Sequence, residues 1–211
     1  SIGGGVVGGK AGTAIGTAVG GPVGGVVGGV AGTISSSPFS FIGTGEFNAA
    51  GTSDYGFVGT GRRNTITATS NNSAVVGGEF NVISASTNSG IVAGGATGVA
   101  PNLINDSSYS FMGAPNVVEI RDSRHVFVGS ASDSKILSGS LYSMIINGIQ
   151  NNVSASTAAS ILNGGFNLIE SSQYGFIGSG QQHRISTGNT YTTILNGSGG
   201  TVTYNSSAST I

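Results

Sequence analysis

Tyr174-Gly175-Phe176-Ile177-Gly178-Ser179-Gly180 and, far upstream, Ser40-Phe41-Ile42-Gly43-Thr44-Gly45 are variants of one short phrase. Two adjacent apolar residues are followed by a small residue or Asn. The phrase recurs as Phe57-Val58-Gly59, Val75-Val76-Gly77, Ile91-Val92-Ala93, Phe111-Met112-Gly113, Phe127-Val128-Gly129, Ile145-Ile146-Asn147, Ile161-Leu162-Asn163 and Ile194-Leu195-Asn196. Aligned on their third residues, successive instances lie 15 to 20 positions apart. The longest gap marks an inserted loop around Pro101. After most instances comes a second element, an Asn two residues before an aliphatic: Asn64 and Ile66, Asn81 and Ile83, Asn102 and Ile104, Asn116 and Val118, Asn151 and Val153, Asn167 and Ile169.

Two short β-branched runs per repeat, separated by Gly, Ser, Thr and Asn, read as two strands and their turns. A period this short cannot hold a helix pair, and it fits the coil of a solenoid. The expected fold is therefore all-β, a β-solenoid (β-roll or β-helix) of about ten short coils over residues 35–211. Asn64, Asn81, Asn116 and Asn167 are expected to form a polar ladder at the turns.

Consecutive strand residues point to opposite faces, yet both members of the phrase are apolar in every coil. Phe41, Ile42, Phe57, Val58, Phe111, Phe127, Val128, Ile145, Ile161, Phe176 and Ile177 are accordingly assigned to two dry surfaces, the coil interior and an intersubunit stripe. An exposed stripe along all the coils would exceed the apolar patches that soluble monomers tolerate. Closed cyclic assembly is the expected solution, with three copies around an axis.

Residues 1–34 are different. Gly4, Gly8, Gly12, Gly16, Gly20, Gly24, Gly28 and Gly32 recur every fourth residue among Val, Ala and Ile. On a helix these glycines share one face and permit close backbone approach, a glycine zipper for assembly. Ala11 to Ile34 carries no charge and is long enough to span a bilayer as a helix. A four-residue period also keeps one face of an extended chain. Helical bundle, membrane segment and extended form all remain open at this point.

Composition narrows the function. Only 7% of the 211 residues are charged, 39 are glycine, and the formal net charge is −1. No basic footprint exists for nucleic acid. Cysteine is absent, which removes disulfides and thiolate metal sites. Gly4 to Lys10 opens like a phosphate-binding loop, but Ala11 stands where that loop needs Ser or Thr. His125 and His183 have no acid at metal-ligand spacing and read as solvent-facing loop residues. Glu46 and Glu79, two coils apart on one face, could work as a carboxylate pair on glycans, and Arg62 with Arg63, or Arg121 with Arg124, could dock anionic glycans. Solvated faces are the preferred reading for all of them. No catalytic residue, metal or cofactor is assigned.

The phrases at 40–45 and 174–180, interleaved with Asn-x-Ile, resemble the repeats of phage and giant-virus tail-fibre or spike proteins, and the head repeats of trimeric autotransporter adhesins. The resemblance covers residues 39–204. It implies a trimeric β-roll, a non-enzymatic structural subunit of an extracellular or virion fibre that supports attachment to a host surface. Its partners would be copies of itself, other fibre or virion proteins, and host surface glycans. The alternatives are an adhesin anchored in a membrane through residues 1–34, and a glycan-cleaving spike.

Overall fold

The structure is a computed structural model that describes residues 15–19, 25–26, 31–37, 39–95, 100–203 and 207–211. Every regular element among them is a short strand. The paired strands run parallel, each bonded to the strand one coil away. The fold is an all-parallel β-solenoid in which each coil gives one strand to each of two sheets.

The chain forms two compact units, Ser1–Ser108 and Tyr109–Ile211. In the first unit one sheet holds Ile15–Val19, Ala31–Ser35, Glu46–Gly51, Thr65–Thr67, Asn81–Ser84 and Asn102–Asn105. The other holds Gly25–Val26, Phe41–Ile42, Phe57–Val58, Ala74–Glu79 and Gly90–Gly95. The second unit repeats the plan, with Glu119–Arg121 opening one sheet and Phe111–Met112 the other. These are called the first and second sheet below.

Inside each unit the core is two stacks of aliphatic side chains. Ile66 and Ile83 are register partners in the first sheet, and Val58 and Val75 in the second. In the second unit Ile136, Val153, Ile169 and Ile185 form one stack and Val128, Ile145, Ile161 and Ile177 the other. All are fully buried. Parallel pairing places like residues one above another, so a single repeated aliphatic specifies the whole stack.

The register corrects the sequence alignment by one residue. Val58 pairs with Val75, not with Val76. In Phe-Val-Gly coils the buried residue is the second of the apolar pair; in Val-Val and Ile-Ile coils it is the first. Equivalent positions are 16 or 17 residues apart, and 21 across the inserted loop. Part of that loop, residues 96–99, lies outside the described residues.

Each coil turns at residues with left-handed backbone, and these are mostly not glycine. Tyr55, Arg63 and Ala68 turn one coil; Tyr109, Val117 and Asp122 turn another. Such a conformation costs L-residues about 1–2 kcal/mol each, so the corners need compensation. It comes from the buried residue that follows each corner. Ser53 donates its N–H to Ser37 Oγ at 3.0 Å, Ser70 to Ser53 Oγ at 3.1 Å, and Ser86 to Ser70 Oγ at 3.2 Å. At a second corner Asn64 N–H reaches Asn48 Oδ1 at 3.0 Å, while the Asn48 amide donates to the Gly61 carbonyl at 2.9 Å. Each side chain thus satisfies backbone groups of the next coil where strand pairing breaks off.

Asn48, Asn64, Asn81 and Asn102 form this row in the first unit, and Asn151 and Asn167 in the second. Asn116 does not belong to it. Its residue is exposed, and Val118 occupies the inner position of that coil. His183 corrects the expectation of a solvent-facing loop. It is 1% exposed and continues the Asn row, with its N–H on Asn167 Oδ1 at 3.0 Å and its Nδ1 accepting the Gly200 N–H at 3.0 Å. An accepting Nδ1 fixes the neutral ring's proton on Nε2, which is buried without a partner.

Of the glycine ladder, Gly4, Gly8, Gly12, Gly20, Gly24 and Gly28 lie outside the described residues. Gly16 and Gly32 are register partners in paired parallel strands. Across residue 34, Ala31–Ser35 pairs with Glu46–Gly51. Among the described residues no helix is long and apolar enough to cross a membrane.

Three substitutions at two positions test this packing. Ile161→Ala should lower the unfolding free energy by about 2–5 kcal/mol in a urea titration. His183→Asn should match or exceed the parent, because an amide supplies the acceptor and adds donors, whereas His183→Leu should cost about 1–3 kcal/mol by orphaning the Gly200 N–H. A His183→Leu chain as stable as the parent would show that the imidazole is not a ladder member.

Candidate functional site

The residues flanking each buried aliphatic of the second sheet point outward and form two parallel rows. In the first unit the flanking pairs are Phe41 with Gly43, Phe57 with Gly59, Ala74 with Val76 and Gly90 with Val92. In the second they are Phe111 with Gly113, Phe127 with Gly129, Met144 with Ile146, Ser160 with Leu162, Phe176 with Gly178 and Thr193 with Leu195. A coil therefore carries either a phenyl ring beside a glycine or a branched aliphatic beside a non-aromatic residue. The two never coincide.

Geometry accounts for the exclusion in three of the five phenyl coils. A Cβ added to Gly43, Gly59 or Gly178 would stand 3.4, 3.2 or 3.4 Å from the ring of its own coil, so the ring lies across the glycine. At Gly59 that Cβ would also meet the Val76 carbonyl oxygen at 2.3 Å. Phe41 stacks on Phe57 and Phe111 on Phe127, each at 5.6 Å between centroids. Phe57 and Phe127 remain 41% exposed, Ile146 40% and Leu195 58%. A phenyl side chain at that exposure shows on the order of 80 Å². Five or six successive coils then reach the few hundred Å² at which an apolar patch signals a partner.

In the second unit the outward face of the first sheet is the opposite in character. It carries Glu119, Arg121 and Lys135, joined by ion pairs of 2.6 and 3.4 Å, and Glu170 with Arg184 at 3.4 Å. No residue in the two rows of the second sheet is charged. The second unit thus separates a charged, solvated face from an uncharged apolar one, whereas in the first unit the charges stand on the line of Glu46, Arg62 and Glu79, with Glu79 at the end of a second-sheet strand.

The residues assigned from sequence to the dry surfaces divide between them. Ile42, Val58, Val128, Ile145, Ile161 and Ile177 are buried in the coil. Phe41, Phe57, Phe111 and Phe127 are exposed on the outer row, and Phe176 is half-buried there. Val76, Val92, Ile146, Leu162 and Leu195 complete this outer surface; the sequence places one member of each apolar pair outside but not which one, because alignment on the third residue hid the change of position.

Glu46 and Glu79 do stand on one line, but Arg62 lies between them as the register partner of both. Arg62 Nε donates to Glu79 Oε1 at 3.0 Å, and the guanidinium forms an ion pair with the same carboxylate. Glu79's hydrogen bond, then its charge, then that of Glu46 hold the Arg62 proton more tightly than usual. The carboxylates here serve a cation. Among the described residues no cluster of His, Asp and Glu could hold a metal ion.

The corners carry exposed rings. Tyr109, His125 and Tyr142 stack in sequence at 5.0 and 4.8 Å, and Tyr174 on Tyr191 at 4.8 Å. At another corner of the first unit, the Arg63 guanidinium lies between two rings, 5.9 Å from the Phe47 centroid and 4.9 Å from that of Phe80. Arg63→Ala should lower stability by about 1 kcal/mol through loss of these contacts, and Arg63→Lys should recover only part of it, since an ammonium lacks the planar face. Equilibrium unfolding of the three chains checks the order. Comparison with protein-family models, curated proteins and solved structures finds no match, so the functional reading rests on these surfaces.

Proposed function

We propose that this chain is a non-enzymatic structural subunit of an extracellular or virion fibre, a shaft that assembles with copies of itself and supports attachment to a host surface. One observation carries the reading: the two outward rows of the second sheet are uncharged and keep at least one large apolar side chain per coil, while in the second unit the first sheet presents its ion pairs to solvent. A face of that composition belongs against another chain. Three copies around an axis would bury one such face each and leave the charged faces outside. The parallel coils supply the stiffness a shaft needs, because each coil is hydrogen-bonded to its neighbours. Other fibre or virion proteins and surface glycans are the expected further partners.

The native mass of the intact chain, measured by light scattering on a size-exclusion column in detergent-free buffer, tests this. A trimer is expected. Phe127→Glu with Ile146→Glu should reduce it to a monomer with an unchanged far-ultraviolet spectrum, because both side chains lie outside the coil. A parent chain that runs as a monomer overturns the proposal.

A further inference from the structure

The corner row of the second unit has one seat without a ring. Its members are Tyr109, His125, Tyr142, Ala158, Tyr174 and Tyr191, all with φ between 52° and 56°. Ala158 is in line with its neighbours. Its N–H donates to the Leu141 carbonyl at 2.8 Å, just as Tyr142 donates to Arg124 at 3.1 Å and Tyr174 to Thr157 at 2.9 Å. His125 covers one face of the Tyr142 ring, and Tyr191 covers one face of Tyr174. The remaining face of each is turned toward the Ala158 seat. Two coil steps separate those rings, about 9–10 Å, which is room for one flat layer.

The first unit shows what fills such a seat. Phe47, Arg63 and Phe80 occupy successive coils with φ of 56°, 55° and 55°, and the Arg63 guanidinium lies between the two rings. Both ring faces carry negative quadrupole density, so a planar cation is attracted from both sides. A guanidinium is flat and weakly hydrated, which suits it to that position. The slot over Ala158 repeats the arrangement with two tyrosines, 62% and 49% exposed, and a methyl group as its floor. Leu141, Thr157 and Gln173 on one side, with Ser143, Ala159 and Gly175 on the other, bring no charge of their own.

We infer that Tyr142, Ala158 and Tyr174 form a docking slot for the guanidinium of an arginine presented by a partner protein. The site is separate from the uncharged face of the second sheet and stands independently of the assembly proposed above.

The test uses the full chain with ring-labelled tyrosine, titrated with N-acetyl-arginine methylamide while the tyrosine resonances are followed by NMR. Saturable shifts of two tyrosine rings are expected at millimolar probe, with the lysine analogue about threefold weaker or more. Tyr174→Ala should abolish them. Ala158→Arg should also abolish them, by filling the slot from within, and should raise the melting temperature, as Arg63 fills its own seat. Shifts that persist in Tyr174→Ala, a melting temperature that does not rise in Ala158→Arg, or tighter binding of N-acetyl-phenylalanine methylamide or a methyl pyranoside would each overturn the assignment.

Discussion

Every coil has to turn without leaving its backbone polar groups unpaired, and that constraint organises the molecule. Strand pairing satisfies the flat sides and the left-handed residues still donate to a carbonyl of the preceding coil, but the N–H of the residue just past the corner is left to a side chain. An inward Ser, Asn or His side chain then takes the N–H of the coil one step on. Buried amide and hydroxyl groups are expensive unless bonded; here they stand where backbone groups need them. The solenoid interior is therefore an aliphatic stack edged by polar rows at the corners, and neither part would hold alone. His183 illustrates how tightly the role is defined. An imidazole fits the Asn row because its Nδ1 offers an acceptor near the position of an amide oxygen.

Outward-facing residues are freed from this task, and the chain uses them differently on each side. In the second unit charges collect on the first sheet, where Glu119, Glu170 and their cations face solvent, and in both units they are missing from the flanking rows of the second. Ion pairs at such exposure add little stability, so their placement matters more for what it discourages, the lateral addition of unwanted strands and chains. The uncharged face lacks this protection. Its Phe-Gly and small-aliphatic coils keep it apolar while the individual residues vary.

Much of the fold could be read from the sequence. Two strands per repeat, parallel stacking and one apolar residue inside with one outside follow from the repeated phrase and from elementary strand geometry. What could not be read was register. Phe57-Val58-Gly59 and Val75-Val76-Gly77 look alike, yet the buried residue is the second in one and the first in the other, and only backbone pairing distinguishes them. Asn116 was grouped with the inner asparagines for its spacing to Val118, although in that coil the valine holds the inner corner. The corners themselves were invisible, because Tyr, Phe and Arg occupy left-handed positions where Gly or Asn would have announced a turn. Their aromatic side chains gain from stacking between coils, and that gain appears only after the coils are aligned.

The coils of 17 residues differ from those of 16 at one place. Ala68 with Thr69, Ser138 with Gly139 and Thr187 with Gly188 are paired left-handed residues where shorter coils have a single one. The inward side chain that follows reaches back three residues rather than two, as Ser70 to Thr67 and Ser140 to Leu137. Both sheets pass the extra residue without losing step. The corner is thus a length buffer: one residue more or less is absorbed there while every stacked side chain keeps its neighbours, so coils of two lengths share one core.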